Sequence, residues 1–300
     1  MTAIPYVRDF AFEYGRADRV SPLIERVVAN NPGPFTFTGT GTYIVGRGEP
    51  GATVAVIDPG PPLDEHLRAL LAAVDGRRVS HVLVTHTHRD HSPLARPFAE
   101  AVGAEVVGCA APQPVESETV VEEGQDWDYR PDRVLGDGET VAGDGWTLEA
   151  LATPGHAGNH LCFALKEEQA LFSGDHVMGW STTVVAPPDG DMGAYMASLE
   201  RIAARGFTTL WPTHGPPVTE VAPFLEAYRD HRLEREAQVL ARLAAGDTTI
   251  AQMVPTLYAA VDRRLWPAAS LSVLAHLEWL TAKGAVSREG EGLAAGWRLT

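Results

Sequence analysis

Thr85-His86-Thr87-His88-Arg89-Asp90-His91 sets three imidazoles and one carboxylate within six positions. The apolar run Val82–Val84 reads as a β-strand that delivers this segment to a strand end. His86 and His88, two apart, project to the same side of an extended backbone, while Asp90 and His91 follow on the turn and aim at a second point nearby. A single histidine at a strand end is ordinary packing; four ligand-type side chains in so short a stretch are not. Such a nitrogen and oxygen donor set suits a borderline cation such as zinc, and manganese or iron accept the same donors.

Working outward, the same arrangement recurs. Thr153-Pro154-Gly155-His156, Phe172-Ser173-Gly174-Asp175 and Pro212-Thr213-His214-Gly215 each put a histidine or aspartate on a turn directly after a β-rich run. Upstream, Ala52–Ile57 ends in Asp58-Pro59-Gly60, a turn signal. Further strands are expected at Phe35–Val45, His81–Thr85, Glu105–Gly108, Trp146–Leu151, His160–Leu165, Ala170–Ser173 and Thr208–Trp211. Leu63, Leu67, Leu70, Leu71 and Val74 form one helical stripe, and Met192, Tyr195, Met196, Leu199 and Ile202 another. Strands interleaved with helices imply sheets covered by helices, with ligand-type residues gathered at successive strand ends.

The texture changes after Pro216-Pro217. Phe224–Leu243 reads as a long helix of mixed charge, Thr249 and Gln252 form a capping-box pair opening a second, and Leu271, Leu274, Leu277 and Leu280 give an amphipathic third. Val286 to Leu299 follows as two short strands around Gly290, Gly292 and Gly296, so residues 224–300 have the layout of a winged helix, divided from residues 1–223. The 300 residues carry a net charge of −15. Residues 224–300 hold nine basic and nine acidic side chains, so all the excess acid lies in the first part, which disfavours a general nucleic-acid binder. Two cysteines, Cys109 and Cys162, are too few for a disulfide framework and fit a reducing, cytoplasmic setting. Cys162 lies in an apolar strand pattern and is read as core. There is no apolar run long enough to span a membrane and no secretory signal pattern at the N-terminus, so no membrane association is expected.

His-x-His-x-Asp-His, then Gly-His, Gly-Asp and a late His-Gly resemble the motif series of the metallo-β-lactamase superfamily, from about Phe35 to Gly215. The resemblance implies an α+β fold, a four-layer αββα sandwich with two metals at one edge of the sheets, here followed by a small winged-helix domain. It implies that His86, His88 and His156 bind one metal, that Asp90, His91 and His214 bind a second, and that Asp175 bridges both. It places Asp58 beside the metals as a support. Two Zn2+ are the expected cofactors, with Mn2+ or Fe as substitutes. The implied activity is that of a dinuclear zinc-dependent hydrolase in which a metal-bridging hydroxide attacks an ester, thioester or phosphodiester bond. Asp90, Asp175 and His160 are the candidate catalytic residues; His160 has an equal claim to a buried, hydrogen-bonded role. A bridging aspartate is usual in glyoxalase II-like thioesterases and family nucleases and unusual in true β-lactamases, so Asp175 lowers the β-lactamase reading.

Ser173-Gly174-Asp175-His176, Thr182-Thr183-Val184, Tyr195–Leu199 and His231-Arg232 with Arg235-Glu236 resemble the β-lactamase-like protein 2 family over nearly the whole chain. Animal members of that family cleave single-stranded RNA, and fungal relatives release polyketides from carrier proteins by thioester cleavage. The expected partners are therefore a small-molecule or acyl-carrier substrate, or single-stranded RNA, with the C-terminal module serving either as a homodimer face or as a wall over the active site. A metal-dependent nucleic-acid-binding or regulatory protein is the alternative of another class; seven filled ligand positions argue against it.

Overall fold

The computed structural model describes residues 3–113 and 124–300. Seven strands form the first sheet in sequence order: β1 (Ala17–Ser21), β2 (Ile24–Val28), β3 (Gly41–Val45), β4 (Thr53–Ile57), β5 (Arg78–Val84), β6 (Glu105–Gly108) and β7 (Arg133–Val134). Five form the second: β8 (Thr140–Gly143), β9 (Trp146–Ala152), β10 (Leu161–Leu165), β11 (Ala170–Gly174) and β12 (Thr209–Pro212), in the order β12-β11-β10-β9-β8. The period-2 geometry of a strand explains why both faces of the second sheet are covered. Leu161, Phe163 and Leu165 of β10 join the core between the sheets, whereas Cys162 and Ala164 point into the core beyond. Phe172 and Trp211 alternate in the same way with Leu171 and Leu210. Helices α1 (Asp64–Ala73) and α2 (Ala95–Val102) close the outer face of the first sheet through Leu70 and Phe98. Helix α3 (Met192–Ala203) closes the outer face of the second through Tyr195, Leu199 and Ile202. The result is the four-layer α+β sandwich expected from the sequence.

The C-terminal module is made of α4 (Val221–Ala244), α5 (Ile250–Leu257), α6 (Trp266–Ala282) and the antiparallel pair β13 (Val286–Glu289) and β14 (Gly296–Leu299). The capping box of Thr249 and Gln252 is formed. Helix α4 runs unbroken through residues 223 and 224: Phe224, Leu225 and Tyr228 pack in the core of the sandwich, and Val239 and Leu243 in that of the module. No helix among the described residues is long and apolar enough to cross a membrane.

One expected strand is shorter than its sequence. Of Phe35–Val45 only Gly41–Val45 is a strand. Phe37 adopts φ 56°, and Asn31 clamps Thr40 by accepting from its N–H at 2.9 Å and donating to its hydroxyl at 3.0 Å. The turn so formed carries Gly39 and Thr40 to His214, with which Thr40 makes an isolated β-bridge. Gly39 has φ 120°, and a Cβ there would lie 2.1 Å from the carbonyl oxygen of Ala29, so only glycine fits this turn.

Candidate metal centre

Parallel pairing of β4 with β5 and of β11 with β12 brings the C-terminal ends of these strands to one edge of the sandwich. Asp58, Thr85, Asp175 and Thr213 leave from those ends, and the turn that starts at Thr85 carries His86, His88, Asp90 and His91. His156 arrives from the loop between β9 and β10. Gly155, at φ 138°, lets that loop lie against α3: a Cβ there would meet the Tyr195 Cα at 2.3 Å.

His86 Nε2 lies 3.0 Å from His88 Nδ1, and His156 Nε2 lies 3.2 Å from the same atom. Three nitrogens sharing a tetrahedral zinc at the usual bond length are about 3.3 Å apart, so the spacing matches ligands turned to one centre. A second group forms beside it. His214 Nε2 is 3.0 Å from Asp90 Oδ2 and 3.3 Å from Asp175 Oδ2, and His91 Nε2 is 3.4 and 3.5 Å from the same two oxygens. Asp175 also groups with His86 and His91, their donor atoms all within 4.8 Å, and so stands between the two sets. His91 Nε2 and Asp175 Oδ1 are buried without a hydrogen-bond partner, as expected of atoms reserved for a cation. Every one of the seven residues expected as ligands is in this cluster, and each is at most 9% exposed.

The outer nitrogens of four rings are tied back. His91 Nδ1–H donates to Asp58 Oδ2 at 2.9 Å, His156 Nδ1–H to the Val184 carbonyl at 2.8 Å, and His214 Nδ1–H to the Gly39 carbonyl at 3.3 Å. His86 Nδ1 lies 3.0 Å from the Thr85 hydroxyl, which itself donates to Asp58 Oδ2 at 2.7 Å. Asp58 thereby orients His91 directly and His86 through Thr85, leaving both Nε2 lone pairs facing inward. Asp58 is also held by the Thr85 N–H at 2.8 Å and the Thr213 hydroxyl at 3.2 Å. The two threonines were not anticipated as supports, although the repeated pair Thr85-His86 and Thr213-His214 is visible in the sequence.

Electrostatics divides the cluster. Burial and the neighbouring rings hold His86 well below the usual imidazole range, and burial, then His156, pushes His88 down to about 3. Burial opposes charge on Asp90 and Asp175, but His91 and His214 outweigh it and hold both carboxyls below their usual range. Burial likewise opposes charge on His91 and His214, but the facing carboxylates win: His91 is raised well above the ordinary value and His214 to about 10.

His160 is 1% exposed and sits within this architecture with both ring nitrogens engaged. Its Nε2 accepts from the Asp175 N–H at 3.2 Å, which leaves Nδ1–H to donate to Thr153 Oγ1 at 2.9 Å. That geometry fixes the backbone of Asp175 and leaves no nitrogen for a substrate. Cys162 is fully buried, and burial pushes its thiol up to about 12, as expected of a core residue. Thr183 pins this loop: its hydroxyl donates to the Asp175 carbonyl at 2.8 Å. Tyr228 and Arg232 of α4 support the same loop, Tyr228 by accepting from Thr183 N–H at 2.8 Å and Arg232 by donating to the Thr183 carbonyl.

The comparisons with known proteins agree with this architecture. A model of the metallo-beta-lactamase superfamily matches residues 36–214, and one of the beta-lactamase associated winged helix domain matches residues 249–297. The beta-lactamase-like protein 2 homolog of Caenorhabditis elegans is 33% identical over 226 residues, covering 74% of this chain and 72% of that protein. The atrochrysone carboxyl ACP thioesterase of Aspergillus chevalieri is 34% identical over 254 residues, covering 81% of this chain and 75% of that protein. A solved beta-lactamase domain protein from Burkholderia ambifaria shares the fold, with a TM-score of 0.81 at 22% identity over 97% of this chain and 96% of that one. With a sandwich of this topology, a His/Asp cluster fit for divalent metal and a C-terminal winged helix, the chain belongs to the metallo-beta-lactamase superfamily of hydrolases.

Proposed function

We propose that the protein is a dinuclear zinc hydrolase of acyl thioesters. His86, His88 and His156 would hold one cation and Asp90, His91 and His214 the other, with Asp175 available to both sets. When bound, the cations supply Lewis acidity and lower the pKa of water into the neutral range. The chain's own residues do the rest. Asp58 keeps the His91 and His86 lone pairs facing inward, and His160 and Thr183 hold the Asp175 backbone from two sides. Four of the five ligand rings are tied back through their outer nitrogens, so they are pre-set before substrate arrives.

The observation that carries the thioester reading is the wall formed by residues 181–184. On one side Val184 accepts from His156 and Thr183 bonds to Asp175; on the other Ser181, Thr182 and Val184 line a cavity of about 270 Å³ whose other walls include Phe35, Met178, Trp180 and Leu265. A cavity of that size, with largely apolar walls, beside a hydrolytic centre suits an acyl group. The relative from Aspergillus chevalieri, an acyl-carrier thioesterase by name, supports the same reading. Both cysteines are buried and free, consistent with a cytoplasmic setting. We read residues 224–300 as a module that completes the substrate cavity, joined to the catalytic unit through α4, which spans the expected boundary at 223.

The test is hydrolysis of N-acetylcysteamine thioesters and of unstructured single-stranded RNA by the zinc-loaded protein, with Asp175→Ala prepared identically. Thioester cleavage that disappears in the variant, with RNA left intact, is the expected result. RNA cleavage lost in the variant, with thioesters untouched, replaces the thioesterase reading with a ribonuclease one.

A further inference from the structure

Arg232 is a charged side chain buried to 3% exposure in the middle of α4, and it forms no ion pair among the described residues. Its Nη2 donates to the Thr183 carbonyl, its Nε has no hydrogen-bond partner, and its guanidinium carbon lies 5.0 Å from the Tyr195 ring centroid. The charges that a helix normally places one turn away are engaged elsewhere: Glu236 accepts from Lys283 at 2.8 Å. The nearby Tyr195 and Tyr228 are phenols that burial holds in the neutral form. A buried cation without a counter-charge is costly unless something pairs with it. Arg232 also lines the cavity between the loop at 178–184 and helices α4 to α6.

Three more features point the same way. Arg235, one turn further along α4, lines the same cavity at 5% exposure, donating to the Leu257 carbonyl at 2.8 Å and lying 4.2 Å over the Tyr258 ring. His231, also in the lining, has a buried Nδ1 without a hydrogen-bond partner. The remaining walls are apolar or small, among them Trp180, Val261, Leu265 and Ala268. An apolar pocket with a cationic floor accepts an amphiphile with an anionic end.

We infer that this cavity binds an oxyanion, a carboxylate or a phosphate monoester, carried on an apolar or extended body, with Arg232 as its counter-charge. The inference rests on the hydrolase reading for its purpose: the anion is a distal group of the substrate whose scissile bond lies at the metal cluster. The wall at 181–184 makes the two places adjacent. Two parts of a thioester substrate carry such a group, the far end of a dicarboxylic acyl chain and the phosphate of a phosphopantetheine arm. The guanidinium fork serves either.

The experiment is isothermal titration calorimetry on the zinc-loaded full-length protein with two matched pairs: 4-phenylbutyrate against 4-phenylbutyramide, and pantetheine 4′-phosphate against pantetheine. The expected result is that in at least one pair the anion binds tenfold or more tightly than its neutral partner. The pair that shows it identifies the source of the anion. Arg232→Gln is expected to bring that ratio to about one, and Ala268→Phe, which fills the cavity from α6, to abolish binding of both members. Equal affinities in both pairs overturn the inference. So does an anion advantage that survives Arg232→Gln, or, should that variant not fold, one that survives Ala268→Phe, since the anion is then bound at the metals. Anion binding with no thioester turnover sinks the thioesterase reading and leaves the cavity assignment standing; turnover with no anion preference does the reverse.

Discussion

Asp58 Oδ2 lies 2.9 Å from His91 Nδ1, and this contact decides which nitrogen of His91 faces the cluster. Three other donors converge on the same carboxylate, the Thr85 amide and the Thr85 and Thr213 hydroxyls, so Asp58 has no freedom to turn. Asp58→Asn keeps the shape but places an amide N–H where an acceptor is needed. His91 then has to accept at Nδ1 and carries its hydrogen at Nε2, where the lone pair should be. We expect metal affinity to fall about 10–100-fold, with the far-ultraviolet circular dichroism unchanged. Competition with a chromophoric chelator measures it; wild-type affinity in Asp58→Asn means that His91 is oriented by something else.

Asp175 and Asp90 are both 5% exposed and share His91 and His214, yet they are not equivalent. Only Asp175 also groups with His86. Asp175→Ala is therefore expected to lower occupancy at both sites together, whereas Asp90→Ala lowers it by about one metal per chain. Metal content by mass spectrometry after desalting separates the two. Two tightly held metals in Asp175→Ala contradict the bridging role.

His160 accepts from the amide of Asp175, so its effect on catalysis runs through that residue. His160→Leu is expected to reduce both metal occupancy and kcat by tenfold or more, leaving an unsatisfied buried N–H behind Asp175. His160→Gln, which retains an acceptor, is expected to recover part of each. The limbs of the kcat against pH profile are expected to stay where they are in His160→Gln. A lost limb there assigns His160 a proton-transfer role instead.

The ligand cluster was legible because strand ends deliver it: each segment is a short apolar run followed by a turn, and that pattern survives without knowledge of the partner strands. The supports of the cluster were less legible, since a threonine before a histidine signals nothing until Asp58 is seen between Thr85 and Thr213. Phe35–Thr40 looked like a strand by composition, but Phe37 turns left-handed and stacks on Trp180, with ring centroids 4.7 Å apart. Tertiary contact there overrides propensity. Strand β1 was not anticipated because it is an edge strand with little buried surface to make a pattern. Residue 223 looked like a boundary because composition changes there. Helix α4 nonetheless crosses it, and Tyr228 beyond it bonds to Ser181 and Thr183. A cut at that point therefore unsettles the loop behind Asp175, and deletion of residues 224–300 is expected to reduce turnover of small and large substrates alike.

His276 stands apart from the metal cluster on α6, fully buried, with neither ring nitrogen hydrogen-bonded. Burial, then Arg232, Arg235, His231 and Lys283, holds it neutral far below the ordinary imidazole range. Burial also lowers His66, beneath the first sheet, to about 4. The unfolded chain takes up a proton at each position as pH falls below about 6.5, while the folded chain refuses it. Stability is therefore unaffected above that value and is lost below it, by ~1.4 kcal/mol per pH unit for each ring, until the folded group titrates. His276→Leu removes the two unpaired nitrogens and one of these titrations. It is expected to stabilise the protein by about 1–2 kcal/mol at pH 7.5 and to gain further on wild type at pH 5. Thermal unfolding of both proteins at the two pH values, with equal zinc loading, reads this directly. A lower Tm for His276→Leu at pH 7.5 means that the ring has a buried partner, and a difference independent of pH means that it does not titrate with folding.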